Sequence, residues 1–217
     1  NSRVVAESTK IFDRTGNHSL YEIHGEEKRT IIPFSDMPET LRAATITLED
    51  QDFYTHHGIK FTSIVRAVMK DVLHRGAAQG GSTITQQFVK NSLLTSEKTL
   101  TRKIKEVILS LEMEQKFSKD EILAMYLNEI PYGSNAYGIE AAAQTFFGKH
   151  AKDLTLDEAA LLASLPQAPT FYSPYGSHLD ELKWRQNHAL SQMASLGYIS
   201  TDQAEEAKKI DTLEKLT

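Results

Sequence analysis

The run EDQDFYTHHG, residues 49–58, sets three carboxylates and two histidines into ten positions, directly behind the apolar-rich LRAATITL of 41–48. A carboxylate at the rim of an apolar run can act as a general base, taking the proton of a hydroxyl held within hydrogen-bond reach. The same run also suits a solvated turn, with Asp50 and Asp52 bonding to their own backbone. A second group of chemistry-bearing types lies in STITQQFVKN, 82–91. If a helix begins near Ser82, then Thr83, Gln87 and Lys90 share one face and offer a hydroxyl, an amide and an ammonium together, or simply form a solvated side. In LTRKIKEVILSLEMEQKF, 100–117, Arg102 and Glu106 stand four apart with Lys103 beside them. On a surface such a pair contributes only ~0.3–0.5 kcal/mol. Beside a buried anion the arginine is a phosphate fork that Glu106 orients. Spacing alone is compatible with both settings.

Other chemistries fit less well. GAAQGGST, 76–83, nearly matches a phosphate-cradling loop, but Ser82 stands where the lysine belongs and a helical pattern precedes it. Its glycines suit a flexible connector instead. Adjacent His56 and His57 point apart on a helix and no H-E-x-x-H pattern exists, so hydrogen bonding suits them better than metal binding. With no cysteine there is no disulfide framework and no thiolate nucleophile. No S-x-x-K occurs beside partner motifs, so a transpeptidase is not supported within these residues. A net charge of −5 argues against general nucleic-acid binding while leaving room for a local basic pocket for one anion.

The elements that must position these groups are mostly helical. KIFD and SLYEI flank RTGNH as a hairpin, and TII runs into Pro33, giving a small β element within about residues 1–35. From there to residue 217 the periodicity is helical, as in Phe61, Ile64, Val65, Val68, Met69 and Val72. Ser118 with Glu121, Thr155 with Glu158, and Ser200 with Gln203 read as capping boxes, and Gly197 as a helix stop. No stretch approaches 18 apolar residues. The segment FTSIVRAVMKDVLHR, 61–75, is amphipathic, suiting a core helix or one lying on a bilayer surface. The chain begins at Asn1 and reads as a trimmed piece.

Together, EDQDFYTHHG, GGSTITQQFVKN, RKIKE and KDEILAMYLNEIPYG resemble, in order and spacing, the signature segments of the peptidoglycan glycosyltransferases (glycosyltransferase family 51). This family supplies the polymerase module of class A penicillin-binding proteins and of monofunctional relatives. The resemblance runs from about Lys10 to Ala207. Ala124 and Phe146 depart from the commoner glutamate and tyrosine.

The resemblance implies one mainly α, lysozyme-like, two-lobed domain with an extended cleft. It implies polymerisation of lipid II into β-1,4-linked glycan strands by an inverting transfer that releases undecaprenyl pyrophosphate. Glu49 falls on the family's catalytic base and Glu106 on its second functional carboxylate. Substrate contacts carry over to Asp50, Phe53, His56, Ser82, Thr83 and Gln86. They also carry over to Gln87, Lys90, Asn91, Arg102, Lys103 and Asn128, of which Lys90, Arg102 and Lys103 face the pyrophosphate. No cofactor is required, although Mg2+ or another divalent cation at the pyrophosphate is left open. The implied partners are lipid II, the growing lipid-linked glycan, the bacterial cytoplasmic membrane and phosphoglycolipid inhibitors of the moenomycin type. The implied place is the extracytoplasmic face of that membrane, with an N-terminal transmembrane anchor before Asn1 and room for a C-terminal transpeptidase domain.

Overall fold

The structure, a computed structural model, describes residues 9–12, 19–23, 28–60, 81–94 and 99–217. The amphipathic segment 61–75, the RTGNH loop and most of the glycine-bearing connector lie outside those residues. Strands β1 (Thr9–Phe12) and β2 (Ser19–Ile23) pair antiparallel, as the hairpin reading expects. The next strand, β3, is only Lys28–Arg29, so the TII stretch lies beyond it. The reason is Asn128, whose side chain accepts from the Ile32 N–H at 3.1 Å and donates to the Ile32 C=O at 2.9 Å, replacing a ladder partner. A further hairpin pairs β4 (Pro131–Gly133) with β5 (Ala136–Tyr137), and β3 pairs in parallel with β5. Ser134 and Asn135 turn it with φ of 51° and 58°, the left-handed pair that suits a two-residue hairpin.

The helices are α1 (Glu39–Glu49), α2 (Ile84–Leu93), α3 (Leu100–Lys116), α4 (Lys119–Glu129), α5 (Ile139–Phe147), α6 (Leu156–Ser164), α7 (Leu179–Ser195) and α8 (Thr201–Lys209). The expected capping boxes open α4, α6 and α8, and Gly197 follows α7 with φ of 79°. A fourth box, Thr83 with Gln86, opens α2. Helix α1 packs on α6 and α7, with α8 behind α7, while α2 packs on α3 and α4. One apolar core runs through both groups, from Leu41 and Ile46 of α1 through Ile84 of α2 and Leu123 and Leu127 of α4 to Leu161 and Leu182. The fold is therefore mainly α with a small β element.

Small side chains set the spacing where α1 meets its neighbours. Ala43 and Ala44 of α1 pack with Ala163 of α6 and Met193 of α7. Interaxial distance follows side-chain size, so the alanines bring these helices close. That closeness lets a side chain on α7 reach the end of α1.

Candidate active site

Glu49 is the last residue of α1, and its side chain is 8% exposed. One oxygen, Oε2, accepts from the Gln87 amide at 2.8 Å. The other, Oε1, accepts from the Arg185 guanidinium at 3.0 Å. Gln87 is itself held from below, because the Tyr126 hydroxyl donates to its amide oxygen at 3.2 Å. Arg185 also donates from Nε to the Ser164 carbonyl at 3.0 Å and lies over the Tyr172 ring, 5.4 Å from its centroid. Burial and the Glu49 charge both push the Tyr126 and Tyr132 phenols upward, so these stay neutral. The carboxylate thus sits at the junction of the two helix groups, fixed from α2 on one side and α7 on the other. Each oxygen keeps a second lone pair for an incoming hydroxyl.

The residues that follow Glu49 form the floor beneath it. Asp50 is 2% exposed and receives His56 Nε2 at 2.8 Å, Lys60 Nζ at 2.7 Å and the Ile84 N–H at 3.0 Å. Burial opposes its ionisation, but those hydrogen bonds outweigh burial and hold its carboxyl below the ordinary value of 3.8. Phe53 is fully buried in the core, under the Lys119 ammonium. His56 Nδ1 accepts from the Gly58 N–H. Gly58, at φ of 83°, closes the run because a Cβ there would stand 2.8 Å from the Ser110 carbonyl oxygen. Asp50, Phe53 and His56, expected to touch substrate, are bonded or packed within the protein here. They tie the end of α1 to the start of α2.

Asp50 makes a testable contribution to stability. Its folded value lies below the unfolded one, so its stabilisation is complete above about pH 4 and drains as pH falls further. Asp50→Asn should lower Tm at neutral pH and lose less additional Tm than the parent between about pH 5 and about pH 3. Parallel acid-side slopes in thermal melts would contradict this role.

Along α2 the expected face runs from core to opening. Thr83 is 1% exposed and donates from Oγ1 to the Gly58 carbonyl at 2.6 Å. Gln86 is 4% exposed and its amide oxygen accepts from the Thr83 N–H at 3.1 Å. Both side chains thus take part in the cap that opens α2. Asn128, also expected to touch substrate, bonds to the Ile32 backbone through both its amide atoms. Gln87 is half-buried at Glu49, while Lys90 and Asn91 are exposed one turn further on.

The second cluster stands on α3. Glu106 is 1% exposed, with Lys103 Nζ against Oε1 and Arg102 Nη1 3.9 Å from Oε2. Lys103 also reaches Ser82 Oγ at 3.4 Å, just ahead of the α2 cap, so α2 joins the two clusters. The Nε of Arg102 is buried with no acceptor among the described residues. Arginine and lysine side by side match the charge and geometry of a phosphate group. Glu106, expected to be catalytic, is buried as the counter-charge of these two cations.

Three groups here were not singled out in the sequence: Arg185, Tyr126 and Lys60. Arg185 left a signal, since it interrupts the apolar stripe Leu182, Ala189, Leu190 and Met193 at helical spacing. A charge on a buried stripe must have a partner.

A family profile described as Transglycosylase matches residues 16–194. Penicillin-binding protein 1F of Bacillus subtilis (strain 168) is 46% identical over 199 residues, covering 91% of this chain and 27% of that protein. Penicillin-binding protein 1A of Aquifex aeolicus (strain VF5) is 45% identical over 201 residues, covering 93% of this chain and 27% of that protein. The crystal structure of penicillin-binding protein 1A from Haemophilus influenzae matches with a TM-score of 0.52 and 26% identity, covering 94% of this chain and 20% of that one. The chain thus spans about a quarter of the length of these relatives. With its helical fold, its paired glutamate at the helix-group junction and its cation cluster in place, the chain belongs to the transglycosylase family of peptidoglycan glycosyltransferases.

Proposed function

We propose that this domain polymerises lipid II into β-1,4-linked glycan strands by an inverting transfer in which Glu49 is the general base. The observation that carries the reading is an asymmetry between two carboxylates. Glu49 is screened from water with a lone pair free on each oxygen, whereas Glu106 is neutralised by Lys103 with the Arg102 guanidinium alongside. Transfer from a sugar pyrophosphate asks for that pair of sites. A base must take the proton of the acceptor 4-hydroxyl, and cations must hold the departing diphosphate. No strong acid is needed, because the leaving group departs as a stable anion, unlike the sugar oxygen of a glycoside.

In the step, the acceptor O4 attacks the donor anomeric carbon opposite the pyrophosphate as its proton passes to Glu49. The C1–O bond to the pyrophosphate breaks, and the α-linked donor becomes a β-linked product. Arg102 and Lys103 take up the negative charge of the leaving group, and Lys90 faces the same ligand from α2. Each such cation within ~4 Å supplies several kcal/mol at an effective dielectric near 20, before desolvation.

A lipid-linked substrate brings the site to the extracytoplasmic face of a bacterial membrane. Ile104 and Ile108, on one face of α3, are 54% and 50% exposed beside Lys103 and Arg102, and α2 ends in Leu93, 52% exposed. Apolar side chains rimmed by cations suit a bilayer surface. No helix among the described residues is long and apolar enough to cross a membrane. A moenomycin-type phosphoglycolipid should compete for the same cations, and the greater length of the relatives leaves room for a transpeptidase domain.

The rival reading is a hydrolase of the finished polymer. Incubation with labelled lipid II should yield glycan strands and free undecaprenyl pyrophosphate. Release of muropeptides from finished glycan, with no strand synthesis, would replace this reading with the hydrolytic one.

A further inference from the structure

Behind the Glu49–Arg185 pair lies a buried polar network with no place in the chemistry above. Asp157, on the first turn of α6, is 1% exposed. Its Oδ1 accepts from the Thr155 hydroxyl at 2.7 Å, and its Oδ2 accepts from the Thr212 hydroxyl at 3.0 Å and from Lys215 Nζ at 2.8 Å. Gln186, the residue after Arg185, donates from its amide to the Asp157 carbonyl at 2.9 Å and to Thr212 Oγ1 at 2.8 Å. Thr212 and Lys215 bound a 3-10 turn, Thr212–Lys215, beyond α8. That turn is strapped down further on, where the Thr217 N–H donates to the Phe146 carbonyl at 3.1 Å and Leu213 and Leu216 pack on the core.

We propose that Asp157, Gln186, Thr212 and Lys215 form a positioning network for the active site, setting α7 so that Arg185 meets Glu49. The proposal rests on the reading of Glu49 as the base. Buried charge pairs are often no more stabilising than apolar replacements of equal volume, so stability alone is a weak reason for four polar groups here. Apolar packing lets a helix slide or rotate slightly, whereas hydrogen bonds of fixed direction do not. Arg185 and Gln186 are neighbours on the buried face of α7. The bonds that fix Gln186 therefore fix the origin of the guanidinium as well. Arg185 reaches Glu49 across 136 residues of chain, so small shifts of α7 change the orientation of the base directly. Misplacement of a reacting group by ~1 Å can lower a rate 10²-fold. The C-terminal turn is thereby coupled to the catalytic carboxylate through Gln186 and Arg185.

The test uses Thr212, which lies outside the machinery of the reaction. Thr212→Val keeps the shape and removes both hydroxyl bonds, while Thr212→Ser keeps the hydroxyl. With lipid II as substrate, Thr212→Val should lower kcat about tenfold with KM within about twofold, and Thr212→Ser should restore the parental kcat. In an Arg185→Lys background the Thr212→Val effect should largely vanish, because both act through one contact. Should Thr212→Val fail to fold, Lys215→Met takes its place with the same expected direction. Unchanged kcat, or a full additional loss in the Arg185→Lys background, overturns the proposal. If Glu49→Gln keeps full turnover, the base reading falls instead, so the two failures are told apart.

Discussion

Glu49→Gln is expected to lower lipid II polymerisation by ~10²–10⁴-fold, the usual range for removing a general base, with the fold intact. Glutamine keeps the shape, and its amide oxygen still accepts from Arg185, so α1 and α7 stay joined. Its amide nitrogen would meet the Gln87 donor, but Gln87 can turn over. In that flipped state Gln87 offers an oxygen to residue 49 and its nitrogen to the Tyr126 hydroxyl, which both donates and accepts. The guanidinium loses its counter-charge, which costs stability because both partners are nearly buried. A thermal melt beside the kinetic assay separates that cost from the loss of chemistry. Parental turnover in a folded Glu49→Gln protein would remove the base from the mechanism.

The second large effect is expected at the cation cluster. Arg102→Met should lower kcat/KM by ~10²–10³-fold, as removal of one preorganised charge donor does at comparable sites. Arg102→Lys should recover only part of that loss. An ammonium is a point charge and cannot replace a planar fork at a phosphate. If the pair with Glu106 were surface decoration, either change would cost only a few tenths of a kcal/mol in stability and nothing in rate. Glu106 is 2% exposed on its side chain, which argues against decoration. Steady-state kinetics of the two variants decide the matter.

Legibility in the sequence follows the range of the interaction. Ser118 with Glu121 and Ser200 with Gln203 are caps three residues long, so the letters alone carry them. The β4–β5 hairpin escapes notice because its strands are too short to show an alternating pattern. The candidate site is legible as a set of residues but not as a set of roles. In EDQDFYTHHG the reactive carboxylate and the residues that brace it are all polar or aromatic and closely spaced. Only burial separates Glu49, with lone pairs to offer, from Asp50, whose bonds are all internal. Arg185 meets Glu49 through a contact that no local pattern announces. The same holds for Asn128 and Ile32, 96 residues apart. The open question of whether Arg102 and Glu106 decorate a surface or flank an anion turns on the exposure of Glu106, which spacing does not encode.

The most direct test of the central claim is a crystal structure of the Glu49→Gln protein holding a non-cleavable lipid II analogue and an acceptor saccharide. The account predicts the acceptor 4-hydroxyl within hydrogen-bond distance of residue 49 and the pyrophosphate oxygens on Arg102 and Lys103. A pyrophosphate seated away from those two side chains, or a residue 49 turned from the acceptor, would contradict it.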